Sequence, residues 1–168
     1  MAYRKISADV LFTGYTLLPP GQALILNDNT IEAIIPVEAA GEDLQYFPGI
    51  LCPGFINSHC HLELSHLKNV IPTGTGLIPF IEAILKNRDA PPGKIREAMA
   101  AGQEEMWANG IVAVGDICNT TDSLPVKSKG KILYRNFIEL LGFIPGTADR
   151  VYTAGRQVLA AFRENEKL

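Results

Sequence analysis

The stretch Pro53-Gly54-Phe55-Ile56-Asn57-Ser58-His59-Cys60-His61-Leu62-Glu63 decides how the rest of the chain is read. A Pro-Gly bend leads into an apolar strand, and the strand ends in polar chemistry. His59 and His61 are two positions apart. Side chains alternate faces along a strand, so i and i+2 point the same way and two imidazoles converge on one point. Neutral imidazole is a ligand for zinc, iron and related ions. The plainer alternative is a pair of surface or satisfied core histidines. Cys60, between them, is expected on the opposite face as a small core thiol rather than a ligand.

The flanking sequence has two grammars. Before residue 50, short strand-like runs alternate with turns: Ile6 to Thr13, Gln22 to Leu26 and Thr30 to Pro36, with Pro19-Pro20-Gly21, a hairpin loop at Asn27-Asp28-Asn29, and a polar break at Gly41-Glu42-Asp43. Such spacing suits a small β-sandwich or open barrel. Leu51 to Asn57 then reads as one strand bent at Pro53-Gly54. Beyond it, helices are expected over Pro79 to Arg88, with Glu82 and Lys86 at i,i+4, and over Lys94 to Asn109. In the second helix Ile95, Ala98, Met99, Gly102 and Met106 share one face, and Gly110 occupies the C′ position. Ile111 to Ile117 reads as a buried strand, Lys131 to Leu141 as a strand whose length leaves helix open, and Tyr152 to Glu166 as a helix. Near-continuous apolar strands separated by helices predict an α/β fold with a parallel sheet. The expected division is residues 1–52 and 53–168.

The Pro53–Glu63 stretch resembles the first-strand signature of the amidohydrolase superfamily, Pro-Gly-apolar-apolar-Asp/Asn-x-His-x-His. Its continuation, His61-Leu62-Glu63-Leu64-Ser65, is similar to the chlorohydrolase and aminohydrolase branch, which includes guanine, cytosine, adenosylhomocysteine and aminofutalosine deaminases. The specific motif spans about a dozen residues, although the layout agrees throughout. The resemblance implies a partial (β/α)8 TIM barrel preceded by part of a small β-sandwich. It makes His59 and His61 ligands of a divalent metal, zinc first, with iron or manganese as alternatives. It implies hydrolytic deamination of a heterocyclic amine by activated water, with cyclic amide hydrolysis as the nearest alternative. The family's two further histidines, its late aspartate and its proton-shuttling glutamate have no counterparts here, since no histidine follows His66. A complete barrel needs about 250 residues, so the chain reads as an N-terminal portion that alone binds metal poorly and catalyses little.

Other residues are candidates for substrate contact or for orienting the ligands. Glu63 shares the His59–His61 face by strand parity, or is a strand-end carboxylate in a salt bridge. His66, the last of three histidines within eight positions, is an exposed loop residue or a group at the pocket rim. Asp116, with Cys118, Asn119 and Thr120, lines a pocket or forms a turn or ion pair. Glu139, a lone carboxylate in an apolar strand, needs a partner. Pro72-Thr73-Gly74-Thr75-Gly76-Leu77 is a connection or a flexible rim, without the Gly-Lys-Ser/Thr ending of a phosphate loop. Trp107 is expected to pack.

Composition narrows the function classes. The chain has 168 residues and a net charge of −3, with a pI near 5.6. That balance disfavours nucleic acid, whose binders show a basic face. No apolar run approaches the roughly 18 residues of a membrane helix. Nor does Met1-Ala2-Tyr3-Arg4-Lys5 open a signal peptide. Three scattered cysteines suit free thiols in a reducing cytoplasm. The expected partner is a small-molecule substrate. Two non-enzymatic readings stand beside the hydrolase: a half-barrel binding or assembly module, whose open edge and apolar face favour a homodimer, and a metal-binding module using His59, His61 and His66.

Overall fold

The computed structural model describes residues 3–142 and 144–165. The chain divides into two compact units between Pro53 and Gly54. Glu166, the expected last residue of the final helix, lies outside the described residues.

The first unit is one four-stranded mixed sheet in the order β3-β2-β1-β4, built from β1 (Tyr3–Leu11), β2 (Gln22–Asn27), β3 (Thr30–Pro36) and β4 (Leu44–Leu51). β1, β2 and β3 pair antiparallel in succession, and Asn27 and Thr30 close the β2–β3 hairpin. Asp28 sits in that turn at φ 52°, a conformation Asp tolerates better than most residues. Ile6, Ala8 and Leu11 of β1 and Ala23 and Ile25 of β2 are buried, and the pairing of Ala23 with Ser7 and Ile25 with Lys5 puts the two β2 residues on the face opposite Ile6 and Ala8.

β4 corrects the sequence reading, in which Leu51 to Asn57 formed a single strand. Leu51 instead ends β4, which pairs parallel to β1. Pro48 and Gly49 disguise this strand as a turn. They are accommodated because β4 is an edge strand and the β1–β4 register shifts between Ala8 and Val10. Asp9, at that shift, accepts the Gly49 N–H at 2.8 Å.

The second unit holds the parallel sheet β5-β6-β7, in chain order: β5 (Phe55–Cys60), β6 (Ile111–Cys118) and β7 (Leu133–Ile138). Between β5 and β6 run a 3-10 segment (Leu62–Leu67), α1 (Leu77–Asn87) and α2 (Pro92–Ala108). One-turn α3 (Leu124–Lys127) precedes β7, and α4 (Ala148–Glu164) follows it. α2 forms because its apolar positions recur on one stripe, and Pro92 opens its first turn without forfeiting a bond. Gly110 stops it at φ 80°, the left-handed C′ conformation glycine adopts without strain.

The α2 stripe meets one face of the sheet. Leu62, Met99, Val114, Ile132 and Tyr134 are its buried centre, with Cys60, Ile95, Met106 and Val126 around them. Met99 is fully buried, so truncating it to Ala costs about 2–5 kcal/mol. The opposite sheet face stays open: Ile56, Leu133 and Phe137 are 71%, 72% and 49% exposed. Among the described residues, no helix is long and apolar enough to cross a membrane.

Candidate functional site

The site begins where β5 ends. Asn57 lies opposite Val114 and Cys60 opposite Asp116, so β5 carries one residue more than β6 over this interval. The extra residue makes a bulge at Ser58-His59. The Asn57 side-chain oxygen accepts the His59 N–H at 3.3 Å. His61 lies just past the strand, at the head of the 3-10 segment, with φ −124° and ψ 76°. This local geometry, rather than regular alternation alone, brings the two rings together. Their Nε2 atoms are 3.3 Å apart and their planes are tilted by 49°. His59 is exposed, His61 is half-buried, and the His61 Nδ1 is buried with no hydrogen-bond partner among the described residues.

The pair opens into a cavity of about 1130 Å³. Asn119 and Glu139, just beyond β6 and β7, line it with the two histidines. Asn119 Nδ2 donates to the Glu139 carboxylate at 3.2 Å and to its carbonyl at 3.1 Å. The partner that a lone Glu139 needs is therefore a side-chain amide. The loop Pro72–Leu77 forms part of the cavity wall, and α1 continues it.

Three other candidates lie elsewhere. Strand parity put Glu63 beside the histidines, but β5 ends at Cys60 and Glu63 belongs to the 3-10 segment, where parity has no force. Its carboxylate is 6% exposed and accepts the Asn119 N–H, the Thr120 N–H and the Thr120 hydroxyl, each at 3.1 Å. Among the described residues it makes no salt bridge; it fixes the loop that presents Asn119. His66 is neither an exposed loop residue nor a rim group. Leu62 and Leu67 draw their segment into the core, and His66 is buried with Nε2 donating to the Arg88 carbonyl at 3.0 Å.

Asp116 does not line the cavity, because it points to the helix-covered face of the sheet. It is 1% exposed, and its Oδ2 lies 2.6 Å from the equally buried Lys127 ammonium. Its Oδ1 accepts the Leu62 N–H at 2.8 Å. Lys127 also donates to Asn136 Oδ1 at 2.6 Å and Cys118 Sγ at 3.3 Å, and lies about 5 Å from the ring centres of Tyr134 and Phe162. Cys60 and Cys118 share this face. Burial first, with Asp116 adding to it, pushes the Cys60 thiol up to about 12. Burial, partly offset by Lys127, does the same for Cys118. All three cysteines are free.

Sequence reasoning missed two features. Lys127 carries no local signal, since its partners come from β6, β7 and α4. α1 did carry one: Leu77, Phe80, Ile81, Ile84 and Leu85 follow the i, i+3, i+4, i+7, i+8 rule. No residue of α1 is buried, and this stripe faces the cavity instead of the core.

Residues 50–165 match the sequence profile described as the Amidohydrolase family. The chain belongs to the amidohydrolase family. Its relatives include the aminodeoxyfutalosine deaminase of a Nitratiruptor species, 28% identical over 152 residues, which cover 83% of this chain and 35% of that one. Among solved structures, Helicobacter pylori aminofutalosine deaminase in complex with methylthio-coformycin superposes with a TM-score of 0.73 at 20% identity, over 90% of this chain and 39% of that one. Guanine deaminase from C. acetobutylicum with bound guanine gives 0.63 at 16% identity, over 80% and 36%. The amidohydrolase segment thus spans little more than a third of the relatives it matches.

Proposed function

We propose that the whole protein is a metal-dependent amidohydrolase that hydrolyses a C–N bond, releasing ammonia from a heterocyclic amine. The observation that carries this reading is the 3.3 Å separation of His59 Nε2 and His61 Nε2 at the cavity. Zinc–nitrogen bonds of about 2.0–2.1 Å in a tetrahedral shell separate their nitrogens by about 3.3–3.4 Å. The two histidines therefore fit a divalent cation, zinc first, with iron or manganese served by the same imidazoles. Among the described residues no group of three or more His, Cys, Asp or Glu could hold an ion. The remaining ligands are assigned to further strands of the whole protein.

A bound ion would supply an acidified water and a polarised carbon centre. This chain's residues do the rest. His59 and His61 hold the ion. β5, β6 and β7 form the first arc of a (β/α)8 barrel whose C-terminal strand ends carry the site, and the β1–β4 sheet is part of its sandwich. Asn119 and Glu139 offer an amide and a carboxylate to the polar edge of a heterocycle. The α1 stripe and the Pro72–Leu77 loop exclude water from it. The free thiols suit the cytoplasm.

The test is ammonia release by the whole protein from aminopurines and related heterocyclic amines, with zinc content measured in parallel. His59→Ala and His61→Ala should each abolish turnover and lower bound zinc. Full metal occupancy in both variants would overturn the ligand assignment, and absence of turnover on the whole panel would overturn the deaminase reading.

A further inference from the structure

His66 is the histidine that the site does not use. It is buried, its Nδ1 has no hydrogen-bond partner among the described residues, and its Nε2 donates to the Arg88 carbonyl at 3.0 Å. Arg88 is the C-cap of α1, so this bond satisfies one of the carbonyls that a helix end leaves open. Among the described residues it is the only hydrogen bond or ion pair joining α1 and its C-cap to the rest of the second unit. The Arg88 N–H to the Ile84 carbonyl and the Asn87 amide to the Ala83 carbonyl are internal to the helix.

α1 has little else to hold it. It is 11 residues long, and isolated helices shorter than roughly 12–15 residues are marginal in water. It therefore depends on tertiary packing, yet none of its residues is buried. Leu77 and Leu85 of the stripe are 70% and 55% exposed. By contrast, α2 is 17 residues long and buries Met99 and Gln103. The chain enters α1 through Gly74 and Gly76, at φ 74° and 86°. A Cβ on either would meet nothing within 4 Å. No packing fixes this approach, and its left-handed backbone is one that glycine enters and leaves without strain. A short helix with no buried side chain, a glycine approach and a single tie is a segment of low local stability, which opens by itself.

We propose that α1 is a gate on the cavity: it opens by local unfolding while α2 and the sheet stay folded, and His66 is the latch that sets how often it opens. Closed, the bond from His66 keeps the apolar stripe in the cavity wall. Open, that wall is gone and a ligand can enter from its side. A ligand that packs on the stripe supplies the burial that α1 lacks, and shuts the gate behind it. His66 is a positioning residue in this reading, acting through the backbone of α1. That the gate serves substrate rests on the cavity being the site of the proposed hydrolase; the opening itself is a property of the chain without substrate or metal.

The experiment is hydrogen exchange of the full chain read by mass spectrometry, without added metal, comparing peptides of α1 with peptides of α2 and β6. In the wild type, α1 amides should exchange about a hundredfold faster than those of α2. His66→Phe keeps a buried ring and removes the donor. Losing that one hydrogen bond should speed α1 exchange about fivefold and leave α2 and β6 unchanged. His66→Leu, with a smaller side chain, repeats the loss without crowding the core. His66→Gln returns an amide N–H toward the Arg88 carbonyl and should bring α1 back to the wild-type rate. Wild-type α1 amides as protected as those of α2 overturn the gate. An α1 rate that neither donor-free variant moves overturns the latch. So does a uniform rise across α1, α2 and β6 that His66→Gln does not reverse, which makes His66 a packing residue. None of these readouts uses metal content or turnover, so the gate and the hydrolase reading fail separately.

Discussion

Lys127→Met is the sharpest test of what holds the second unit together. Lys127 and Asp116 are buried to 0% and 1% side-chain exposure and meet at 2.6 Å. The substitution removes one charge and leaves the other. Asp116 keeps the Leu62 N–H, but one N–H does not balance a carboxylate out of water. Breaking a buried pair in this way costs about 3–5 kcal/mol, because the remaining charge is uncompensated. Met nearly matches the volume of the lysine stem, so a cavity adds little.

The assay is urea unfolding followed by Trp107, the single tryptophan, which lies on α2 within this unit. With a slope of about 2 kcal/mol/M, the midpoint should fall by roughly 1.5–2.5 M. Asp116→Asn combined with Lys127→Met removes both charges while keeping an acceptor for Leu62. The double variant should therefore recover a substantial part of the loss. A shift in Lys127→Met below about 0.5 M, or a double variant as unstable as the sum of the singles, would refute the reasoning.

The other predictions concern separate levers. Glu63→Ala deletes the acceptor of three donors around Asn119 and Thr120, and should cost about 2–3 kcal/mol; hydrogen exchange at those two amides should speed up before other protected sites change. A Cβ on Gly115 would lie 2.6 Å from the Ser58 carbonyl oxygen, which is backbone and cannot swing aside, so Gly115→Ala should destabilise by about 1–3 kcal/mol, read from thermal unfolding. Cys60 and Cys118, held near 12 by burial, should resist alkylation at pH 8 until urea is added, leaving Cys52 as the thiol that reacts in the native state. These two raised values also set an alkaline limit. The stability from keeping the thiols protonated is complete below the ordinary value near 9 and is lost as pH rises toward about 12, so the melting temperature should fall across that interval.

Much of the fold was legible because its signals are local. The stripe of α2, the glycine at 110 and the apolar run of β6 each specify their element within a few residues, and the parallel pairing of β5 with β6 follows from strands separated by a helix. The two histidines were legible for the same reason. What escaped depends on distant partners. β4 hid behind Pro48-Gly49 because only its edge position makes them tolerable. Glu63 and His66 were misplaced because the strand stops at Cys60 and the chain turns into the core on Leu62 and Leu67. The stripe of α1 was visible, but whether such a stripe meets a core or a cavity depends on what stands opposite.

The helix-covered face of the β5-β6-β7 sheet and its C-terminal edge are joined by one carboxylate. Asp116 Oδ2 meets Lys127, and Asp116 Oδ1 takes the N–H of Leu62, the residue after His61. The turn that aims His61 at His59 is thus anchored to the buried ion pair through a single side chain. Among the described residues the His61 Nδ1 has no hydrogen-bond partner, so this ring depends on its backbone for orientation, where metal-binding histidines commonly donate that nitrogen to a fixed acceptor. Lys127→Met should therefore act at the site as well as on stability. In urea-free buffer, with the folded state of each variant verified by circular dichroism, Lys127→Met should shift the His61 ring resonances and lower zinc affinity, whereas Met99→Ala, which destabilises the same core without touching Asp116, should leave both in place. Equal effects from the two variants would mean that general loosening of the unit, and not the Asp116 anchor, governs the histidine pair.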